Sequence, residues 1–202
     1  MQINSDFEFQ MKLVVIGDSG VGKTNFIFRF TEGRFSPLHV TTVGLDYKSK
    51  MITLPSSKKR VKLQIWDTAG QERYMALNKN IFQKIQGIIL MYDITTRSSF
   101  ENLFKWINLI SQNISDKPKI LVGNKLDKGY ENRLVEEEEG KKIAMENNMP
   151  FFEASGASGE NVEEVFKKIA EMVNENIIIE KESRPSNLVL QKKIKKKKKC
   201  CR

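Results

Sequence analysis

Eight residues near the N-terminus, Gly17-Asp18-Ser19-Gly20-Val21-Gly22-Lys23-Thr24, restrict this chain more than any other feature. Their spacing is G-x-x-x-x-G-K-[ST]. An apolar run at 11–16 (MKLVVI) precedes them, and a segment at 23–30 that reads as helix follows. A strand that ends in glycine and reopens as a helix lets backbone N–H groups turn inward around phosphate oxygens. Lys23 would bring a point charge to the terminal phosphates, and Thr24 a hydroxyl to Mg²⁺. The competing reading is a glycine-rich turn before an ordinary helix, and the strand–loop–helix context argues against it. Alone, the motif implies a nucleoside triphosphate and leaves the base open.

The rest of the chain alternates strands and helices. Residues 31–42 contain Gly33 and Pro37, lack periodicity and read as a loop. Runs at 45–54 and 61–66 flank Pro55-Ser56-Ser57-Lys58, a hairpin signal. Residues 87–92 (GIILMY) and 119–122 (KILV) read as buried strands, and 150–152 as a last short one. A helix is expected over 98–112, with Phe100, Leu103, Phe104, Ile107 and Ile110 on its apolar face. Four acids open a helix at 136–147, where they suit the positive end of its dipole. The closing helix, 159–179, lines up Val162, Val165, Phe166, Ile169, Met172 and Val173. The expectation is an α/β fold, a mostly parallel six-stranded sheet with helices on both faces. Ligands of such sheets bind beyond the carboxyl ends of the strands, where every motif here falls.

The chain has 202 residues, 40% hydrophobic and 29% charged, which suits one domain and a tail. No stretch approaches the roughly 18 apolar residues that span a bilayer. The N-terminus lacks the basic and apolar regions of a secretory leader. The only cysteines are Cys200 and Cys201, so the body carries none, which fits a reducing cytosol. The formal net charge of +9 is nearly all in one place. Residues 191–202 hold seven lysines, one arginine and no acid, leaving 26 basic against 25 acidic groups elsewhere. A partner that attracts positive charge must meet the tail.

Two loops at strand ends address the base. Asn124-Lys125-Leu126-Asp127 follows one strand, and Glu153-Ala154-Ser155-Gly156-Ala157 follows the last. A carboxylate such as Asp127 can accept from both N–H groups on the Watson–Crick edge of guanine, where adenine offers a mismatched pattern. Either string alone could be a polar loop; together, after a phosphate loop, they select guanine.

With Trp66-Asp67-Thr68-Ala69-Gly70-Gln71-Glu72, the order and spacing of these motifs over about 170 residues resemble the Ras-superfamily small GTPases. Within that superfamily the chain resembles the Rab family, through Val43-Gly44-Leu45-Asp46-Tyr47, the run KLQIWDTAGQE at 62–72, and Tyr92-Asp93-Ile94-Thr95. The resemblance implies a P-loop NTPase small G domain over 9–179, between a flexible segment at 1–8 and a disordered tail at 180–202. It implies GTP or GDP as bound nucleotide, with Ser19, Gly20, Val21, Gly22, Lys23, Thr24 and Asn25 at the phosphates. Phe35 would pack on the base, and Asn124, Lys125, Asp127, Ser155, Gly156 and Ala157 would hold it. Thr24, Thr42 and Asp67 would hold Mg²⁺, Asp67 through water; the Gly70 N–H would bond the γ-phosphate, and Gln71 would orient the attacking water. Losing the γ-phosphate would release the loops of Thr42 and Gly70. Trp66 and Tyr47 read as core packing or, through the resemblance, as an apolar effector surface. The implied partners are an exchange factor, a GTPase-activating protein, a GDP-dissociation inhibitor or escort protein, and effectors; the protein would act as a monomer.

The sequence also departs from the family. Ala157 stands where a lysine usually covers the base, and His39 where a tyrosine usually lies over the phosphates. Ile81 replaces a tyrosine of the usual apolar triad, and the segments around 73–77 and 81–85 drift from the family pattern. The only histidine, His39, otherwise reads as an exposed loop residue.

Lysines at 192–199 followed by Cys200-Cys201-Arg202 allow three readings: a nucleic-acid or nuclear-import signal, a solvated run, or a membrane anchor. The resemblance favours the anchor, with one or both of Cys200 and Cys201 geranylgeranylated, no nucleic-acid partner, and residence on the cytoplasmic face of intracellular membranes beside a soluble cytosolic pool. One lipid chain binds marginally, whereas two chains, or one with a polybasic patch, anchor stably.

Overall fold

The structure, a computed structural model, describes residues 7–37, 45–68, 84–114 and 116–182. Six strands form one sheet in the order β2-β3-β1-β4-β5-β6. They are β1 (Phe9–Ile16), β2 (Leu45–Thr53), β3 (Arg60–Thr68), β4 (Gly87–Asp93), β5 (Lys119–Asn124) and β6 (Phe151–Ala154). Only the β2–β3 pair is antiparallel, running from Leu45↔Thr68 to Thr53↔Arg60 as the expected hairpin. The other pairs are parallel, so the expected mostly parallel six-stranded architecture holds.

Side-chain alternation along the central strands divides the core into two layers. Met11, Leu13 and Val15 of β1, with Ile89 and Met91 of β4, face helices α1 (Lys23–Glu32) and α6 (Val162–Glu182). There the Phe30 ring stacks on Phe166 with centroids 4.0 Å apart. Val14 and Ile16, with Ile88, Leu90 and Tyr92, face the opposite helices. These are α2 (Arg97–Glu101), α3 (Leu103–Ile114) and α5 (Glu137–Glu146); a 3₁₀ turn (Leu126–Lys128) and a short α4 (Gly129–Asn132) connect β5 to α5. Both faces of the central strands are therefore buried, which explains their nearly unbroken apolar sequences. Among the described residues, no helix is long and apolar enough to cross a membrane.

Several expected boundaries move, each for a local reason. Helix α1 runs past Phe30 through Thr31 and Glu32 because its stop is Gly33, which at φ 67° closes the helix by donating its N–H to Arg29 O. The single helix expected over 98–112 is two, interrupted at Asn102, whose ψ relaxes to −11°. On that segment Phe104 is 71% exposed instead of buried, while Trp106, absent from the expected apolar face, is 2% exposed. The closing helix begins at Val162 rather than Gly159, since Gly159 (φ 95°) and Asn161 (φ 57°) are left-handed, and it extends to Glu182. Strand β6 starts after Pro150 and includes Glu153 and Ala154.

Candidate nucleotide-binding site

Strands β3 and β4 flank β1, so successive connections leave β1 in opposite directions. A crevice opens at such a reversal, beyond the carboxyl ends of the strands. Gly17 to Gly22 fill the turn from β1 into α1. Two glycines there are obligatory. A Cβ on Gly17 (φ 141°) would lie 2.1 Å from Met91 O, and one on Gly22 (φ 98°) would lie 2.5 Å from Asn124 Nδ2. Gly20 is also left-handed, at φ 82°. Ser19 and Gly20 stand exposed at the loop tip, whereas Val21 is buried and its carbonyl accepts from Asn124 Nδ2 at 2.7 Å.

Lys23, 5% exposed, turns its ammonium back into the loop and donates to Gly17 O at 2.8 Å and Asp18 O at 2.7 Å. Burial pushes its pKa down to about 8, against the opposing pull of Asp67 and Asp18. Beside it Thr24 Oγ1 donates to Asp67 Oδ2 at 2.7 Å. The other carboxylate oxygen, Oδ1, is buried and has no partner among the described residues. Burial raises the Asp67 pKa, with the Thr24 bond and Lys23 working against the rise. A buried anion with one unmet oxygen beside a hydroxyl is a donor set that fits a hard divalent cation. Asn25 clamps the chain that leaves α1, giving Nδ2 to Ser36 O at 2.8 Å and taking the Ser36 N–H on Oδ1 at 3.1 Å. Phe35 next to it is 43% exposed.

The three remaining loops are cross-linked. Asn124 Oδ1 accepts the Gly156 N–H at 3.1 Å, so one amide side chain joins the phosphate loop to the loop after β6. Ser155 Oγ donates to Asp127 Oδ1 at 2.5 Å and accepts the N–H groups of Ala157 (3.1 Å) and Ser158 (3.0 Å). Lys125, left-handed at φ 71°, reaches Asp93 Oδ2 at 2.6 Å. Burial alone would raise the Asp93 carboxyl, but bonds from Lys125 and Thr95 hold it below the usual carboxylate range. The candidate residues Lys23, Thr24, Asp67, Asn124, Asp127, Ser155 and Gly156 thus gather at one end of the sheet. Thr42, Gly70 and Gln71, with His39 and the tail cysteines Cys200 and Cys201, lie outside the described residues. Tyr47 and Trp66 face each other across β2 and β3 with ring centroids 5.1 Å apart, Tyr47 being half-exposed and Trp66 partly packed on the core.

Three residues that support the site were not singled out from the sequence. Asp93 anchors Lys125, and its only signal was its place in the Tyr-Asp-Ile-Thr string. Asp18, whose carbonyl holds Lys23, has its carboxylate gripped by Asn102 Nδ2 and Trp106 Nε1, each at 2.7 Å. Arg29 of α1 donates to the carbonyls of Gly33, Gly156 and Ala157.

Comparison with known proteins agrees with this arrangement. The Ras family model matches residues 12–175. The chain is 42% identical to Ras-related protein SEC4 of Candida albicans over 175 residues, 86% of this chain and 82% of that one. It is 44% identical to Ras-related protein RAB1BV of Beta vulgaris over 174 residues, 86% of this chain and 80% of that one. With Ras-related protein SEC4 of Saccharomyces cerevisiae it shares 40% over 168 residues, 83% of this chain and 76% of that one.

Proposed function

This chain belongs to the Ras family, as a guanine-nucleotide-binding, GTP-hydrolysing small GTPase of the Rab type, and on that premise we propose that it is a lipid-anchored switch of vesicle traffic whose state is set by the γ-phosphate. Lys23 and the N–H groups of the 17–24 loop carry the phosphates, and Asp127, steadied by Ser155, reads the guanine edge. Asn124 keeps the phosphate and base loops in register. Thr24, Thr42 and Asp67 would hold Mg²⁺, which neutralises phosphate charge when bound. Gln71 orients the water that attacks the γ-phosphate, and no covalent intermediate is needed. The arginine that stabilises the transition state comes in trans from a GTPase-activating protein, so intrinsic hydrolysis is slow. Hydrolysis removes the bonds that Thr42 and Gly70 make to the γ-phosphate, and both loops relax. Effectors, an exchange factor and a GDP-dissociation inhibitor or escort protein read these states, while Cys200 and Cys201 carry the lipid.

The observation that carries this reading is the contact chain Val21–Asn124–Gly156, which joins the phosphate loop to both base loops. A competition assay tests it. Unlabelled GTP should displace bound GDP at least about a thousandfold more effectively than ATP, since a site built to pair buried polar groups rejects a mismatched partner by 10⁴–10⁵ at best. Equal displacement by ATP would overturn the guanine assignment.

A further inference from the structure

The loop after β6 has a charged partner on its far side. Arg29 projects from the last turn of α1 and spreads its guanidinium across three carbonyls. Nε donates to Gly156 O at 3.2 Å, Nη2 to Ala157 O, and Nη1 to Gly33 O at 3.0 Å. Its stem lies directly under the loop, since a Cβ on Gly159 would stand 3.4 Å from Arg29 Cδ.

A trans peptide points its C=O and N–H in opposite directions. Holding the carbonyls of Gly156 and Ala157 outward therefore turns the following N–H groups, those of Ala157 and Ser158, inward. Both converge on Ser155 Oγ, at 3.1 and 3.0 Å. A serine hydroxyl has two acceptor sites and one proton. With both acceptor sites filled, the proton has one direction left, and it goes to Asp127 Oδ1 at 2.5 Å. We propose that Arg29 is a positioning residue for guanine selection: it fixes the peptide planes that orient Ser155 and, through Ser155, the carboxylate of Asp127. Arginine suits the role because its planar fork presents several fixed donors, whereas a lysine offers one flexible point charge. Ala157 has no side chain long enough to steady this loop from the base side, so Arg29 adds to the hold that Asn124 has on the Gly156 N–H. The inference rests on the reading that Asp127 selects the base.

The test compares GDP with IDP, whose hypoxanthine lacks the 2-amino group and so presents one donor fewer to Asp127. General loosening of the site weakens both nucleotides alike and cancels in the ratio of their dissociation constants. In the full-length protein with Mg²⁺, wild type should prefer GDP by about tenfold, the worth of one hydrogen bond to a charged group. Arg29→Met should bring that preference to about threefold or less. Should Arg29→Met prove unfoldable, Ser155→Ala breaks the same relay one link later and should lower the ratio equally. Asp127→Ala separates base reading from loop positioning. If it retains the GDP preference, the base reading fails and the proposal with it. If it abolishes the preference while Arg29→Met, or Ser155→Ala in its place, keeps the wild-type ratio, the base reading stands and the proposal alone is overturned.

Discussion

Thr24 Oγ1 donates to Asp67 Oδ2 across 2.7 Å, joining the first turn of α1 to the end of β3, residues 43 apart in sequence. That bond meets half of a buried carboxylate and leaves Oδ1 without a partner among the described residues. A divalent cation bound beside Thr24 would meet the other half.

The first expectation follows from that pairing. Asp67→Asn should reduce Mg²⁺ affinity by about 10–100-fold, the usual loss when an oxygen that orients a metal's waters is neutralised. Chelating Mg²⁺ should speed GDP release from wild type and change release from the variant much less. Thr24→Asn should weaken GTP more than GDP, because the terminal phosphates depend most on the metal. Equal weakening of the two nucleotides would remove Thr24 from the metal site.

Lys23 gives a pH dependence. Its pKa of about 8 in the nucleotide-free protein lies below the ordinary 10.5. Phosphate oxyanions favour the charged form and raise it again. Below pH 8 the ammonium is charged with or without nucleotide, so affinity is flat there. Above pH 8 binding takes up a proton, about half of one at pH 8 and approaching one at pH 9, and affinity falls toward tenfold per pH unit. Calorimetry in buffers of different ionisation enthalpy measures that uptake, and Lys23→Met should lose it. The nucleotide-free protein should move the other way. Its unfolded chain keeps the lysine proton to about 10.5, so stability rises between pH 8 and that value.

The grip on Asp18 should matter for nucleotide retention. Its carbonyl holds Lys23 while Asn102 and Trp106 hold its carboxylate at 2.7 Å each. Trp106→Phe keeps most of the ring and removes the N–H, one hydrogen bond to a charged group, worth about 1.5–3 kcal/mol when buried and less at this part-exposed site. GDP release, followed with a fluorescent analogue, should quicken about 3–10-fold in Trp106→Phe or Asn102→Ala. Rates within twofold of wild type in the double variant would make the contact irrelevant to binding.

These supports explain what the sequence could and could not say. The six strands, the phosphate loop and the two base loops are local patterns: an apolar run, a glycine spacing, a short polar string at a strand end. Lys23, Thr24, Asp67, Asn124, Asp127 and Ser155 were legible for that reason. The Asp18 contacts join residues 84 and 88 apart, and those of Arg29 to the loop after β6 span 127 and 128. No periodicity announces such pairs. Phe104 and Trp106 were misread together: Leu103 and Ile110 are buried as expected, but the apolar stripe widens toward Trp106, which bonds Asp18, and leaves Phe104 outside it.

The tail can be separated into its two parts. Changing Cys200 and Cys201 to Ser removes both proposed lipid acceptors and leaves all seven tail lysines. Each lysine near an anionic leaflet contributes about 1 kcal/mol, but salt screening and ordering of the tail reduce the sum. The cysteine variant should therefore be cytosolic on cell fractionation. Neutralising the lysines at 195–199 should cause a smaller loss or a redistribution among membranes. A cysteine variant that stays on membranes while the lysine variant becomes soluble would make the tail an electrostatic arm and end the lipid assignment.

The central claim is that this site binds GTP and cuts it with water oriented by Gln71. Single-turnover phosphate release from the purified protein loaded with GTP tests it most directly. Wild type should release phosphate slowly, on the order of 10⁻⁴ to 10⁻³ s⁻¹ without an arginine in trans. A cognate GTPase-activating protein should accelerate it sharply. Gln71→Leu should bind GTP as wild type does and lose that acceleration. Release no faster than from free GTP in buffer, or stimulated turnover of Gln71→Leu within about twofold of wild type, would contradict that claim.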